Sequence, residues 1–330
     1  MKFFNKKYIL LLLLGIGFLS CSQKKEDIIN QNPDITADNI VAEIAKQVKH
    51  YPVEKQYKYR YNNSMCYFEI SINDIPSFKD YQSSQNGSAF LINDLIFKSG
   101  KQKVSYKLLP SEGTELKDNT ELQLTLLSYD QKNKNADDVE YSKFTLPQIE
   151  EKIAENYSKF KFSGAGKTYY EGSFDVNVEV PYDLQSPFEN AQDLRKIDKK
   201  SLEEKLVKEY NKIRNIYQSK DKDKVARLLY DKLKNQMVTE YASPQKVKAT
   251  WEEAKEILFN SDMEILPIEK YEMRFFGNGK LVALYADGSN PNTRGGNALV
   301  CHLKSGYGKG FLELKHLFYI PQGETEFKVY

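Results

Sequence analysis

Alternation of apolar and polar residues between positions 57 and 180 limits the possible folds more than any other feature of this sequence. The clearest examples are residues 65–72 and 168–180, and the first of these ends at the turn signal Asn73-Asp74. A period of two places successive side chains on opposite faces of a strand. Many short strands joined by regular turns favour an antiparallel β-sandwich, which we predict for residues 51–183.

The second half of the chain has a different pattern. Apolar residues recur with helical spacing in three stretches that begin near Ser201, Asp221 and Ser243. Strands follow, and Gly277-Asn278-Gly279 is typical of a hairpin turn. Three helices and then an antiparallel sheet predict an α+β domain over residues 201–330. The expected fold class is therefore two-domain, with the polar residues 184–200 as an exposed linker.

Two further helices are predicted before residue 184. Thr36 is a capping residue for a short helix over residues 37–49, which we place in a tether formed by residues 21–50. Residues 147–157 have apolar positions four apart, and Pro147 suits the first turn of a helix.

Part of the predicted sandwich resembles a known type of module. Ile72-Asn73-Asp74-Ile75-Pro76, then Gly87, then the stretch from Leu95 through Lys98-Ser99-Gly100 to Val104 is similar to the layout of jelly-roll, galactose-binding-like domains. The match covers residues 66–110, with Asp74 and Gln102 in place of the usual Gly and Asn. This resemblance implies a strand–turn–strand geometry and does not specify a sugar.

The N-terminus has the layout of a secretory signal. Lys2, Lys6 and Lys7 precede an apolar run over residues 8–19, which is shorter than the ~20 residues that a membrane-spanning helix needs. Phe18-Leu19-Ser20-Cys21 resembles the lipobox of bacterial lipoproteins, although Leu is more usual at the first position. The resemblance implies a signal peptide over residues 1–20 and a lipidated Cys21 as the membrane anchor. An ordinary signal peptide with a chance cysteine is the alternative.

Residues 22–27 indicate on which side of the membrane the protein is expected. Ser22-Gln23-Lys24-Lys25-Glu26-Asp27 resembles the surface-export signal of Bacteroidetes lipoproteins. We expect a chain anchored in the outer membrane and exposed at the surface, or otherwise retained on the periplasmic side. A solvated linker would have a similar composition.

Charge and composition argue against several classes of protein. After residue 20 the chain carries 45 basic and 46 acidic side chains, so its charge does not favour nucleic acid as a partner. Three His and three Cys argue against a zinc site with several ligands, and we predict no metal and no cofactor. Gly164-Ala165-Gly166-Lys167-Thr168 lacks the first glycine of a phosphate-binding loop. No catalytic motif is present, so no catalytic residue is predicted.

The cysteines and histidines do not form a recognisable catalytic pair or metal site in the sequence. Cys66 and Cys301 lie in different predicted domains, and we expect two buried, unpaired thiols, with a disulfide as the alternative. His302 follows Cys301 on one strand, so the two side chains point to opposite faces and do not favour a dyad. His302 and His316 are expected to be structural or surface residues.

Two groups of residues are candidates for binding. Tyr57, Tyr59 and Tyr61 alternate on one face and, with Tyr67 and Tyr81, offer an aromatic platform for a sugar or peptide. The alternative is a strand that packs these rings into the core. Residues 288–296 form a polar loop longer than a hairpin needs, in which Asn292 and Arg294 are the predicted contacts. An idle surface loop is the alternative.

These features predict a membrane-anchored lipoprotein that acts as a non-enzymatic binding protein at the bacterial cell envelope. One rival is an immunity-type inhibitor that occupies the active site of a secreted antibacterial toxin. A glycan-binding component and a hydrolase without a recognisable motif are further alternatives.

Overall fold

The structure, a computed structural model, describes residues 31–81, 85–133, 135–306 and 308–330. The predicted signal peptide, Cys21 and the first part of the predicted tether lie outside these residues. Within them the chain is rich in antiparallel β-sheet and contains four α-helices. No helix in the described part is both long and apolar enough to cross a bilayer.

Two four-stranded antiparallel sheets and a separate two-stranded hairpin form the first half of the chain. Its strands are β1 (Lys55–Ser64), β2 (Cys66–Ile72), β3 (Ile75–Asp80), β4 (Gln85–Leu91), β5 (Gly100–Pro110), β6 (Glu121–Asp130), β7 (Val139–Thr145), β8 (Gln148–Ala154), β9 (Tyr157–Phe162) and β10 (Tyr170–Val178). One sheet has the order β4-β1-β6-β7 and the other β10-β5-β2-β3. Alternate side chains of both sheets are buried in one hydrophobic cluster, as in a β-sandwich. The predicted antiparallel β-architecture of this half is confirmed.

A tight turn links β2 to β3. Ile72 pairs with Ile75, and both central residues, Asn73 and Asp74, have positive φ angles of 53° and 63°. Asn and Asp tolerate this left-handed conformation better than most residues, which is why the turn signal was readable in the sequence.

The predicted helix over residues 147–157 is wrong. Residues in this region form β8 and β9, a hairpin that pairs with no other strand among the described residues. Every residue of β8 is exposed, so no apolar surface is available to bury one face of a helix. Apolar residues four apart favour a helix only where such a surface exists.

Helices dominate the next part of the chain. They are α2 (Lys199–Ser219), α3 (Lys222–Thr239) and α4 (Pro244–Leu258), while the short helix α1 (Ile40–Ala45) precedes the sandwich. Asp198, Asp221 and Ser243 cap the three long helices by accepting a hydrogen bond from a backbone N–H of the first turn. Because Asp198 is the cap, α2 begins two residues before the predicted start at Ser201.

Two segments predicted to be exposed are instead packed. Helix α1 is shorter than expected and lies on α3 and α4, with Ile40 and Ile44 buried, so residues 40–45 do not belong to a free tether. Within the predicted linker over residues 184–200, Phe188, Ala191 and Leu194 are buried while about half of the residues are exposed, so the segment is packed in part.

The last part of the chain forms two small antiparallel sheets rather than one. Its strands are β11 (Met263–Ile265), β12 (Tyr271–Phe276), β13 (Leu281–Ala286), β14 (Val300–Leu303), β15 (Gly310–Glu313), β16 (Phe318–Tyr319) and β17 (Lys328–Val329). The orders are β11-β14-β15 and β12-β13-β16-β17, and a single bridge between Tyr285 and Asn297 connects the two sheets. The predicted hairpin at Gly277-Asn278-Gly279 is present between β12 and β13.

Candidate functional site

The structure places Tyr57, Tyr59 and Tyr61 inside the sandwich. Their exposed fractions are 0%, 0% and 2%, and their rings pack in the cluster between the two sheets. A platform for a ligand needs exposed ring faces, so the prediction that these three tyrosines bind a sugar or peptide is wrong. The hydroxyl of Tyr61 alone reaches a surface cleft, where it accepts a hydrogen bond of 3.2 Å from the side-chain amide of Asn86.

The other two tyrosines of the proposed platform meet the predicted binding loop. Tyr67 and Tyr81 stack with their ring centroids 5.7 Å apart. The guanidinium carbon of Arg294 lies 5.6 Å from the centroid of Tyr67 and 5.3 Å from that of Tyr81. Asn292, on the same loop, is exposed. Two features that are distant in the sequence therefore lie together in the fold.

Arg294 and Asn292 lie at a cleft between the sandwich and the C-terminal sheets, with a volume of about 550 Å³. One wall is the end of β3 with Tyr81, and the opposite wall is β15 with Lys315. Loop residues 291–294 form a third side. Clefts of this size are typical of small-molecule sites.

An ion pair connects the two walls. The ammonium group of Lys79 on β3 contacts the carboxylate of Glu313 on β15 and donates a hydrogen bond of 3.2 Å to the backbone carbonyl of Arg294. Burial lowers the pKa of Lys79, while the charge of Glu313 opposes this effect. The second carboxylate oxygen of Glu313 accepts a hydrogen bond of 3.1 Å from the backbone N–H of Asn297. Glu313 thus holds both the sandwich edge and the end of the loop.

Two glycines allow the loop to approach the sandwich closely. Gly295 has a φ of +65°, and a Cβ atom built on it would lie 2.3 Å from Cε2 of Tyr81. A Cβ atom on Gly296 would lie 2.5 Å from the ammonium nitrogen of Lys79 and 2.5 Å from Cδ of Glu313. A side chain at Gly295 would collide with the Tyr81 ring, whereas one at Gly296 would have to displace only the ends of the Lys79 and Glu313 side chains, so Gly295 is the stricter requirement for the position of Arg294.

A second set of hydrogen bonds holds the rings of the sandwich wall. The hydroxyl of Tyr81 donates to Glu69 at 2.5 Å, and Glu69 also lies 3.4 Å from the guanidinium of Arg274. Burial, together with Glu69, raises the pKa of Tyr81, so the ring stays neutral and remains a hydrogen-bond donor. Arg294 therefore rests on a ring whose orientation is already fixed.

The cysteines and histidines lie away from this cleft or are occupied within the fold. Cys66 and Cys301 are buried and unpaired, as expected, and burial raises their pKa values to about 12 and about 11. Such thiols are poor nucleophiles at neutral pH. His316 is buried and hydrogen-bonded to the hydroxyl of Tyr217 at 2.9 Å. His302 stacks on Phe311.

Comparisons with protein-family models, with curated proteins and with solved structures found no match to this chain. The site must therefore be interpreted from its own geometry.

Several lining residues had no signal in the sequence. Lys79, Glu313, Lys315 and Phe311 look like ordinary strand or loop residues, and Lys79 meets Glu313 only because the sandwich edge packs against β15. The adjacent pair Gly295-Gly296 was the one local sign of a close backbone approach. The arrangement as a whole can bind an anion: a fixed guanidinium and two lysines face one cleft.

Proposed function

We propose that this protein is a membrane-anchored lipoprotein that acts as a non-enzymatic binding protein at the bacterial cell envelope. The support for anchoring is in the sequence: a basic start, a short apolar run and a lipobox-like Phe18-Leu19-Ser20-Cys21. In this proposal Cys21 carries the lipid, and the folded part has begun by residue 31, since the side chain of Gln31 is hydrogen-bonded to Val329 and that of Asn32 to Asp231.

One observation carries the binding role. Arg294 is held against Tyr67 and Tyr81 at the edge of a cleft of about 550 Å³, on a loop positioned by Gly295 and Gly296. A loop positioned before a ligand arrives loses little conformational entropy on binding. We also infer that the sandwich and the α+β part are two units, with the ligand site between them.

Substitution of the anchor residue tests the first part of the proposal. Cys21→Ser removes the thiol that would be acylated, so labelling by a fatty-acid analogue should be lost, and the protein should be either soluble or left with its signal peptide uncleaved. Cys66→Ser is the matched control, since that thiol is buried in the sandwich and should leave labelling unchanged. Undiminished labelling of Cys21→Ser would contradict the anchor.

Substitution in the cleft tests the second part. Replacing Asn292 and Arg294 with Ala should weaken binding of envelope components. It should change the free energy of unfolding by about 1 kcal/mol or less, because it removes only contacts of a surface loop and the cation–π interactions of Arg294 with Tyr67 and Tyr81. Unchanged binding by this folded variant would remove the cleft from the proposal.

A second candidate function, inhibition of a secreted toxin, is favoured by the hairpin of β8 and β9. Four large apolar side chains of this hairpin are about half exposed or more: Ile149, Ile153, Tyr157 and Phe160. A protruding hairpin with such side chains is suited to insertion into a partner protein. Replacing Tyr157 and Phe160 with Ser should abolish protection against the toxin if this function holds, and leave binding at the cleft unchanged.

A further inference from the structure

The charges that line the cleft are not balanced. Three cationic side chains, Lys79, Arg294 and Lys315, face two acidic ones, Asp80 and Glu313. Lys79 is paired with Glu313, and the buried Asp80 accepts a hydrogen bond of 3.1 Å from Asn86. Among the described residues, no carboxylate lies within ion-pair distance of Arg294 or Lys315.

A further lysine strengthens this positive region from behind. The ammonium group of Lys232 on α3 lies 3.4 Å from the backbone carbonyl of Lys315. The surrounding protein and the charge of Lys315 lower the pKa of Lys232, while the charges of Asp94 and Glu313 oppose this effect, and Lys315 also opposes the charge of Lys79. A negatively charged ligand beside Lys315 would relieve this repulsion.

Arg294 is presented in a form suited to a carboxylate. Its planar guanidinium lies near the rings of Tyr67 and Tyr81, and the side chain lines the cleft. The fork of N–H donors matches the two oxygens of a carboxylate, and such paired hydrogen bonds are among the strongest in proteins.

The rest of the lining suits a polyhydroxylated ligand. Asn292 is exposed and offers a neutral donor and acceptor. The Asn86 amide is already oriented, because its NH2 group donates to Tyr61 and Asp80 and its oxygen accepts from the backbone N–H of Gly87; that oxygen can still accept a second hydrogen bond. Phe311 is 40% exposed, with one ring face stacked on His302 at 4.6 Å, so it provides a supported aromatic edge to the cleft. A flat apolar surface beside hydrogen-bonding side chains fits the mixed apolar and hydroxyl faces of a sugar ring.

From this arrangement we infer that the cleft binds an acidic saccharide, with Arg294 and Lys315 on its carboxylate and its sugar rings between Asn86 and Phe311. The inference rests on the proposed binding function and names its ligand class. A cleft of about 550 Å³ has room for about two sugar units.

Calorimetric titration of the full-length protein in detergent tests this inference. The probes are a uronic-acid disaccharide, the neutral disaccharide of the same linkage, and acetate. We expect the acidic disaccharide to bind and the other two to bind at least about tenfold more weakly, because only the first offers both a carboxylate and sugar rings. Its affinity should also fall as salt is added.

Two variants assign the effect to the cleft. Arg294→Gln should weaken binding of the acidic disaccharide about tenfold or more, and Arg294→Lys should restore only part of the affinity because lysine lacks the planar fork. Arg60→Gln is the matched control: Arg60 is exposed on β1 and points away from the face that carries Tyr61. It should leave affinity unchanged.

The outcomes separate this inference from the proposed function. Equal binding of the neutral disaccharide would overturn the acidic ligand. If Arg294→Gln weakened that binding, the cleft would remain a binding site; if it did not, the saccharide would not lie in the cleft. If acetate bound as tightly as the acidic disaccharide, the sugar rings would contribute nothing to affinity and the saccharide would be ruled out as the ligand class. If no probe bound, the ligand class would be overturned. The proposed function is tested separately, by the anchoring experiment and by the effect of the Asn292 and Arg294 substitutions on binding of envelope components.

Discussion

Gly295 is the residue on which the position of the binding loop depends most. Gly295→Ala would place a methyl group against Tyr81, and it also puts a side chain at a φ of +65°. Overpacking and a left-handed backbone each cost about 1–2 kcal/mol, so we expect a loss of about 3 kcal/mol in the free energy of unfolding, together with weaker ligand binding.

Gly288→Ala is the control for this substitution. Gly288 has a φ of +86°, but a Cβ atom on it meets only the Arg294 side chain, at 3.8 Å. It should therefore show the backbone cost of about 1 kcal/mol without the steric clash. Denaturant unfolding of both variants measures the difference, and equal losses would show that Tyr81 does not hold the loop.

His316 should make stability depend on pH. Burial, with a smaller effect from Lys232, lowers its pKa to about 3 in the folded protein, while an unfolded histidine titrates near its ordinary value of 6.5. Between these values the unfolded state binds more protons, so stability falls as the pH falls below 6.5. The loss from this group is about 2 kcal/mol between pH 6.5 and pH 5.

Denaturant unfolding at the two pH values measures this dependence. His316→Gln removes the titrating group and should flatten the pH dependence by about that amount, although the variant is less stable at pH 7. His302→Gln, which changes a histidine outside the core, should keep the dependence. A slope that His316→Gln leaves unchanged would show that another group is responsible.

At the residue scale, the sequence indicated which residues lie in the long polar loop but not which side chains surround them in the fold. Arg294 and Asn292 were predictable because a long polar loop is a local feature. That Tyr57, Tyr59 and Tyr61 are buried while Tyr67 and Tyr81 meet Arg294 was not predictable, because alternation shows which side chains share a face and not which face a second layer covers.

Among the elements, the hairpin of β8 and β9 contains two phenylalanines that we expect to contribute very differently to the free energy of unfolding. Phe160 is 60% exposed, whereas Phe162, two residues later, is 1% exposed and packs edge-on against Tyr170 at 5.0 Å. Phe160→Ala should change the free energy of unfolding by about 0.5 kcal/mol or less, and Phe162→Ala should lower it by about 3–5 kcal/mol. Thermal or denaturant unfolding of the two variants checks this, and similar losses would mean that the hairpin packs on the sandwich.

Element prediction succeeded where the signal was local. Ser243-Pro244 starts α4 because Ser243 caps it, and the glycines at the turn between β12 and β13 were equally readable. It failed at residues 147–157, since spacing alone cannot show that no surface exists for a helix to pack on. Tertiary packing also separates β15 from β16, since the chain between them turns inward to bury His316.

On the scale of the whole molecule, the two halves share more packing than the sequence indicated. One hydrophobic cluster lies between the sandwich sheets and also takes in Tyr241, Leu281 and Tyr319 from the second half. The other contains the helices, and α1 contributes to it from before the sandwich. Residues 184–200 run between the two clusters and contribute to both. Such long-range packing leaves no periodic trace in the sequence.

The cleft lies along this boundary, and contacts across it are polar as well as apolar. Lys79 with Glu313 joins the halves at the cleft, and the backbone N–H of Gly277 donates a hydrogen bond of 2.9 Å to the carbonyl of Asp74 near the other end. A ligand that touches both walls would therefore protect segments that are far apart in the sequence.

Hydrogen–deuterium exchange of the full-length protein, with and without an envelope extract of the producing cell, tests most directly whether the cleft is the binding site. The ligand need not be identified beforehand, and exchange reports on each segment separately. We expect slower exchange in residues 78–81, 288–296 and 311–315 together, and loss of this protection in Arg294→Gln but not in Arg60→Gln. Unchanged exchange in all three segments, or protection confined to residues 148–162, would contradict the account.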